Sequence, residues 1–138
     1  MAIPINYLAI IVAVVVNMVL GFLWYGPVFG KPWMKEMGID PHGPKPKNMG
    51  KNYFIMFIGS FLMAFVLKHN VVFGQSYLGI TGFSAAFQAG FWNWLGFIAP
   101  VLVGAVLWEK KSWKLFFLNS GYYLVALILM AWILVCWV

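Results

Sequence analysis

Asn17, Ser60, Gln88, Asn93 and Asn119 are the residues of this chain whose types and placement could do chemistry, and that chemistry is hydrogen bonding without charge. Each is an amide or hydroxyl set inside a long apolar run, where a polar group without a partner is costly. They are therefore expected to point inward and bond to one another. Asn6 and Asn17 stand eleven residues apart, three helical turns, and so share a face. Ser84 and Gln88 are one turn apart and share another. Such a set makes either a polar pathway through a helical bundle or plain interhelical contacts, each worth about 1 kcal/mol or less. Of the two, the contacts are the simpler reading. Trp92-Asn93-Trp94 is the stretch best suited to touch a ligand or lipid, because indole N–H groups at membrane depth need acceptors.

The sequence shows no nucleophile–base arrangement, no glycine-rich phosphate loop and no haem-attachment motif. His42 and His69 are far apart and lack a second ligand at motif spacing. Cys136 is the single cysteine, so an intrachain disulfide is ruled out. Glu36, Asp40 and Glu109 are the three acids, and none lies in the middle of an apolar run, which argues against an ion-coupled antiporter. The residues point away from an enzyme, and neither a metal nor another cofactor is expected.

The elements that must position these amides are membrane spans. The chain of 138 residues is 64% hydrophobic and 9% charged, with a mean hydropathy of +0.89. Soluble domains carry about 25% charged residues. Ile5–Gly26 contains no charge at all, and its 22 residues reach about 33 Å, enough for a hydrocarbon core of about 30 Å. The sequence predicts an all-α integral membrane bundle of four transmembrane helices in a single domain, residues 1–138, with spans at about 5–26, 52–70, 82–108 and 115–137. Pro100 inside the third removes one backbone hydrogen bond and predicts a bend there. The first span lacks a basic leader and a small-residue cleavage site, and is expected to remain attached.

Connectors follow from the remaining composition. Val28–Gly38 is aromatic and basic, an interfacial segment with a short helix over 32–37. Residues 39–50 are a proline- and glycine-rich turn region, and 71–81 reads as a re-entrant or interfacial segment. Trp24, Tyr25, Trp33, Trp108 and Trp113 are expected to anchor the bundle at one membrane–water interface.

All nine basic residues are lysine. Lys31, Lys35, Lys45, Lys47 and Lys51 lie between the first two spans, Lys110, Lys111 and Lys114 between the last two, and Lys68 faces the opposite connector. Eight of nine thus fall on one side, which the positive-inside rule assigns to the cytoplasm, with both termini outside a bacterial inner (cell) membrane. The net charge of +6 is accounted for by anionic lipid headgroups, so membrane lipids, and not nucleic acid, are the expected partners. Small residues at helical spacing, Ala9 and Ala13, Ser60 and Ala64, Ala85, Ala89, Gly96 and Gly104, let backbones approach. They serve packing first, and a homo-oligomer or a membrane-protein partner second. A weak internal repeat pairs Leu20-Gly21-Phe22 with Leu95-Gly96-Phe97 and predicts two related helical hairpins.

The stretch LGFLWYGPVFGKPWMKEMG, together with Trp94-Leu95-Gly96-Phe97, Leu107-Trp108-Glu109 and WKLFFLNSGYYLVALILM over 113–130, resembles the small membrane proteins of domain-of-unknown-function family 1761. Trp24-Tyr25-Gly26-Pro27 and Asn119-Ser120-Gly121-Tyr122-Tyr123 are its most specific parts. The resemblance implies a four-span membrane protein and implies no activity. On the residues alone, a small carrier or channel-like protein for a neutral or apolar solute is the leading expectation, and a structural or accessory subunit of a membrane complex the alternative.

Overall fold

In the computed structural model, which describes residues 4–44 and 47–137, every element is helical. Four stretches are long and apolar enough to cross a membrane: Tyr7–Val28, Met49–Leu78, Gly82–Trp108 and Trp113–Cys136. The first is helix α1 (Tyr7–Leu23), closed by a π-helical turn over Trp24–Val28 and followed by a short helix α2 (Gly30–Met37). Helix α3 is Met49–Leu78. The third stretch is broken into α4 (Gly82–Asn93), a second π-helical turn over Trp94–Ile98, and α5 (Ala99–Trp108). Helix α6 is Trp113–Cys136.

Local chemistry sets these boundaries. The Asn6 side chain accepts from the Leu8 and Ala9 amides and caps α1, and Ser112 caps α6 by accepting from Leu115. Both π-turns stand beside a proline. Pro27 lies within the first, and Pro100 follows the second by two residues. A proline supplies no N–H to the ladder, and a wider turn absorbs the mismatch: Phe29 N–H reaches back to the Trp24 carbonyl at 2.8 Å, and Ala99 N–H reaches Trp94 O. The disturbance expected at Pro100 thus takes the form of a π-turn one turn earlier, over Trp94–Ile98.

Two expectations are corrected. The second span does not stop at residue 70, because helix continues through Gly74, Gln75 and Ser76 to Leu78, so most of 71–81 is helix and not a separate re-entrant segment. Gly74 reads as a breaker but acts as a contact, since a Cβ there would sit 3.4 Å from the Ile80 side chain folding back over it. Nor does Lys68 face a connector. It is 4% exposed, and its ammonium donates to the Leu134 carbonyl at 3.3 Å, in the last turn of α6. There it meets both an orphan acceptor and the negative end of the helix dipole.

Glu36 Oε2 accepts from the Ser112 hydroxyl at 2.6 Å, which brings the connectors after α2 and before α6 to one end of the bundle. Of the lysines assigned to that end, Lys45 lies outside the described residues. The tight core is toward the other end. Ile10, Val14, Leu67, Val71, Met130 and Leu134 are packed there among Ala9, Ala13, Ala64, Ala86 and Ala131. Small side chains draw the helices together, as membrane packing requires. The closest approach is α4 on α6: a Cβ on Gly90 would lie 2.9 Å from the Ile128 backbone nitrogen.

The hairpin repeat and the two π-turns follow different spacings. The repeat's two glycine motifs lie seventy-five residues apart, whereas the π-turns, Trp24-Tyr25-Gly26-Pro27-Val28 and Trp94-Leu95-Gly96-Phe97-Ile98, lie seventy apart. Both leading indoles also bond to α6, Trp24 to Leu118 O at 3.0 Å and Trp94 to Ser120 O at 2.7 Å. One contact therefore crosses between hairpins and the other stays within its own.

Candidate functional site

Tyr122, near the middle of α6, organises the larger polar site. Its hydroxyl donates to Asn17 Oδ1 at 2.6 Å, with the Asn17 main-chain oxygen also in reach at 3.1 Å. The Asn17 amide nitrogen donates onward to Ser60 Oγ at 2.7 Å. One chain of bonds thus joins α6, α1 and α3 through groups that are all buried, Asn17 at 3% and Ser60 at 2% exposed. In a low-dielectric interior such bonds reinforce one another. Gly21 makes room for the hydroxyl, since a Cβ there would stand 3.3 Å from it.

The first π-turn supplies the second half of the site. It turns Trp24 and Tyr25 inward, where Tyr25 donates to Asn119 Oδ1 at 2.7 Å. Gly30 permits the reversal into α2, for a Cβ there would collide with the Tyr25 carbonyl at 2.8 Å. Tyr25 then sits edge-on to two rings, Trp33 at 5.3 Å and Tyr122 at 5.4 Å between centroids. Between α1, α2, α3 and α6 these residues leave a cleft of about 550 Å³. Its walls are Phe22, Tyr25, Trp33, Tyr53, Tyr122 and Tyr123, with Asn17 and Ser60 also lining it, and no charged side chain among the lining residues. The volume lies within the usual range for small-molecule sites, about 300–1,000 Å³.

A separate polar pair lies between α3 and α4. Asn70 Nδ2 donates to Asn93 Oδ1 at 3.1 Å, and Asn93 Nδ2 donates to Ala89 O, one turn back, at 2.7 Å. Gln88 is near but bonds to Ser84 at 3.3 Å on its own helix. The five residues singled out from the sequence therefore do not meet at one place. Asn17 and Ser60 bond directly, Asn119 joins their neighbourhood through Tyr25, and Asn93 and Gln88 belong to the other group. Of the residues read as interfacial anchors, Trp24 and Tyr25 point into the bundle, Trp33 packs on Tyr25, and Trp108 and Trp113 are exposed.

Tyr122 and Asn70 were not among the sequence candidates. The Tyr122-Tyr123 pair after Asn119-Ser120 was a visible signal, a hydroxyl deep in an apolar span. Asn70 was hidden by placing the end of the second span on it. Among the described residues, no group of three His, Cys, Asp or Glu side chains gathers where it could hold a metal.

A family model described as "Protein of unknown function (DUF1761)" matches residues 8–135. No curated protein and no solved structure matches the chain.

Proposed function

The chain belongs to the DUF1761 family, whose description states no activity, and from its residues we propose a multi-pass membrane protein that binds a small uncharged solute in the aromatic cleft and carries it between the two sides of the bilayer. The observation behind this reading is the cleft itself, ring faces on its walls and a buried amide–hydroxyl chain at Asn17, Ser60 and Tyr122, without a charged lining residue. Rings favour an apolar or aromatic body, and hydroxyl oxygens with free lone pairs orient one polar substituent. A charged solute entering the same space would lose its hydration without a counter-charge. In this reading the role is non-enzymatic: the rings, amide and hydroxyls of the cleft serve to bind.

In this reading the four apolar helices span a bacterial inner membrane, the lysine-bearing connectors face the cytoplasm beside anionic headgroups, and both termini face outward. The cleft, lined by Trp33 of α2 and by Met49 and Tyr53 at the start of α3, lies toward the lysine-bearing end. Reconstitution in liposomes with a panel of neutral, cationic and anionic solutes tests the proposal. Neutral solutes are expected to exchange faster than across protein-free vesicles, and Tyr53→Ala, at the mouth, is expected to change that rate. Absence of flux for every solute ends the carrier reading. An accessory-subunit role is the second reading, favoured by α5, of which no residue is buried. Isolation of a stable hetero-complex from native membranes would decide for it.

A further inference from the structure

The Asn70–Asn93 pair divides a lateral groove between α3 and the broken third span. Toward the 79–81 connector lies a cleft of about 450 Å³, lined by residues including Phe73, Tyr77, Ile80 and Trp92. In the other direction lies one of about 530 Å³, lined by residues including Met63, Val66, Phe97 and Leu127. Asn70 and Asn93 line both. Gln88, which bonds to Ser84 on its own helix, also lines the first. Asn17, Ser60, Lys68 and Ser120, by contrast, are buried. Asn70 and Asn93 are only half-buried, and each uses one amide N–H, Asn70 toward Asn93 Oδ1 and Asn93 toward Ala89 O. Each amide also keeps a second N–H beyond the one used.

Depth makes this costly. Asn93 is the twelfth of 27 residues in its span, about 16 Å from one end, near the middle of a core of about 30 Å. Hydrocarbon at that depth offers no partner. What fills the groove must present largely apolar surface to both arms, of which one also carries Gln88, and one hydrogen-bonding group between them. We propose that the groove binds an uncharged lipid with a carbonyl at mid-length, its two apolar arms in the two clefts and its carbonyl accepting from the spare amide N–H groups. The bilayer's own phospholipids fit less well, because their ester groups stay near the headgroups and not at the midplane.

The inference rests on the membrane-spanning reading, and incorporation of the protein into vesicles tests that reading by itself. Three photoactivatable probes of matched length then decide between occupants in phospholipid vesicles. They are a fatty ester with its carbonyl at mid-chain, a plain hydrocarbon, and a diacyl phospholipid. The mid-chain ester is expected to label peptides 62–67, 73–80 and 92–98 about fivefold more than the hydrocarbon, the factor that one ordinary hydrogen bond confers. The double substitution Asn70→Leu with Asn93→Leu should remove that preference. Val66→Trp adds bulk at an exposed position on one arm, leaves both amides in place, and should lower ester labelling even if the double variant does not fold. Equal labelling by ester and hydrocarbon would mean that the amides hold water only, and would overturn the proposal. So would preferential labelling by the phospholipid, or a preference unchanged by either variant.

Discussion

Two amide sites occupy this bundle, and they are built in opposite ways. Asn17 is held by a tyrosine from α6 and a serine from α3, with its amide oxygen and one N–H engaged and almost no surface exposed. Asn93 is held by one neighbour, Asn70, and by its own helix, with a groove on either side. The first site closes three helices into one body. The second spends little on cohesion and leaves hydrogen-bonding capacity open. The seam that keeps α4 in place beside that second site is a backbone approach at Gly90, with the Trp94–Ser120 bond at its end. Amides of the same type in the same solvent thus differ in what they have left: Asn17 is committed as a clasp joining helices at the wall of the aromatic cleft, whereas Asn70 and Asn93, the docking point, keep bonding capacity for an occupant, according to how many helices reach them.

The comparison breaks most readily at the seam. Gly90→Val puts a branched side chain where even a Cβ would lie 2.9 Å from the Ile128 backbone, and the loss is expected to be about 3 kcal/mol, the upper range for overpacking. Unfolding in mixed micelles with rising dodecyl sulfate measures it. A loss under about 1 kcal/mol would show that α4 can shift away from α6 freely. Asn17→Leu comes next, because it takes the side-chain partner from the Ser60 hydroxyl and leaves the Tyr122 hydroxyl only the main-chain oxygen of residue 17, at 3.1 Å. About 2 kcal/mol is expected, the cost of stranding buried polar groups, read by the same titration.

These contrasts show which parts of the molecule the sequence made legible. Four long apolar runs carry the fold, because hydrocarbon selects composition over long stretches and leaves an averaged signal. Asn17 and Ser60 could be picked as inward-facing for the same reason. Their pairing with Tyr122 could not, since it depends on the rotation of three helices, which the lipid-like surroundings leave free. Helix α3 was cut short at Asn70 because Gly74, Gln75 and Ser76 resemble a turn by composition, yet they remain helical while Ile80 folds back on Gly74. Lys68 was placed by its charge at a connector, whereas a carbonyl in the last turn of α6 holds it inside. Prolines signal a disturbance of the helix, but not its form, and the π-turns that swing Trp24 and Trp94 onto α6 depend on the packing of the folded bundle.

Smaller effects sharpen the contrast between clasp and docking point. Tyr122→Phe deletes one hydroxyl from the clasp while keeping the ring against Tyr25, and is expected to cost about 1 kcal/mol. A double-mutant cycle with Asn17→Leu should show strong coupling, because both changes remove the same bond. Additive losses would mean that the Asn17–Tyr122 contact contributes little by itself. Asn70→Leu is expected to do least, within about 0.5 kcal/mol of zero, since its single interhelical bond is replaced by apolar surface in a groove already apolar on both sides. Equality with the Asn17→Leu loss would erase the distinction, making Asn70–Asn93 a second clasp. A neutral result together with a changed ligand preference is what an open site requires, because a residue selected to bind and not to hold can be removed without loosening the fold.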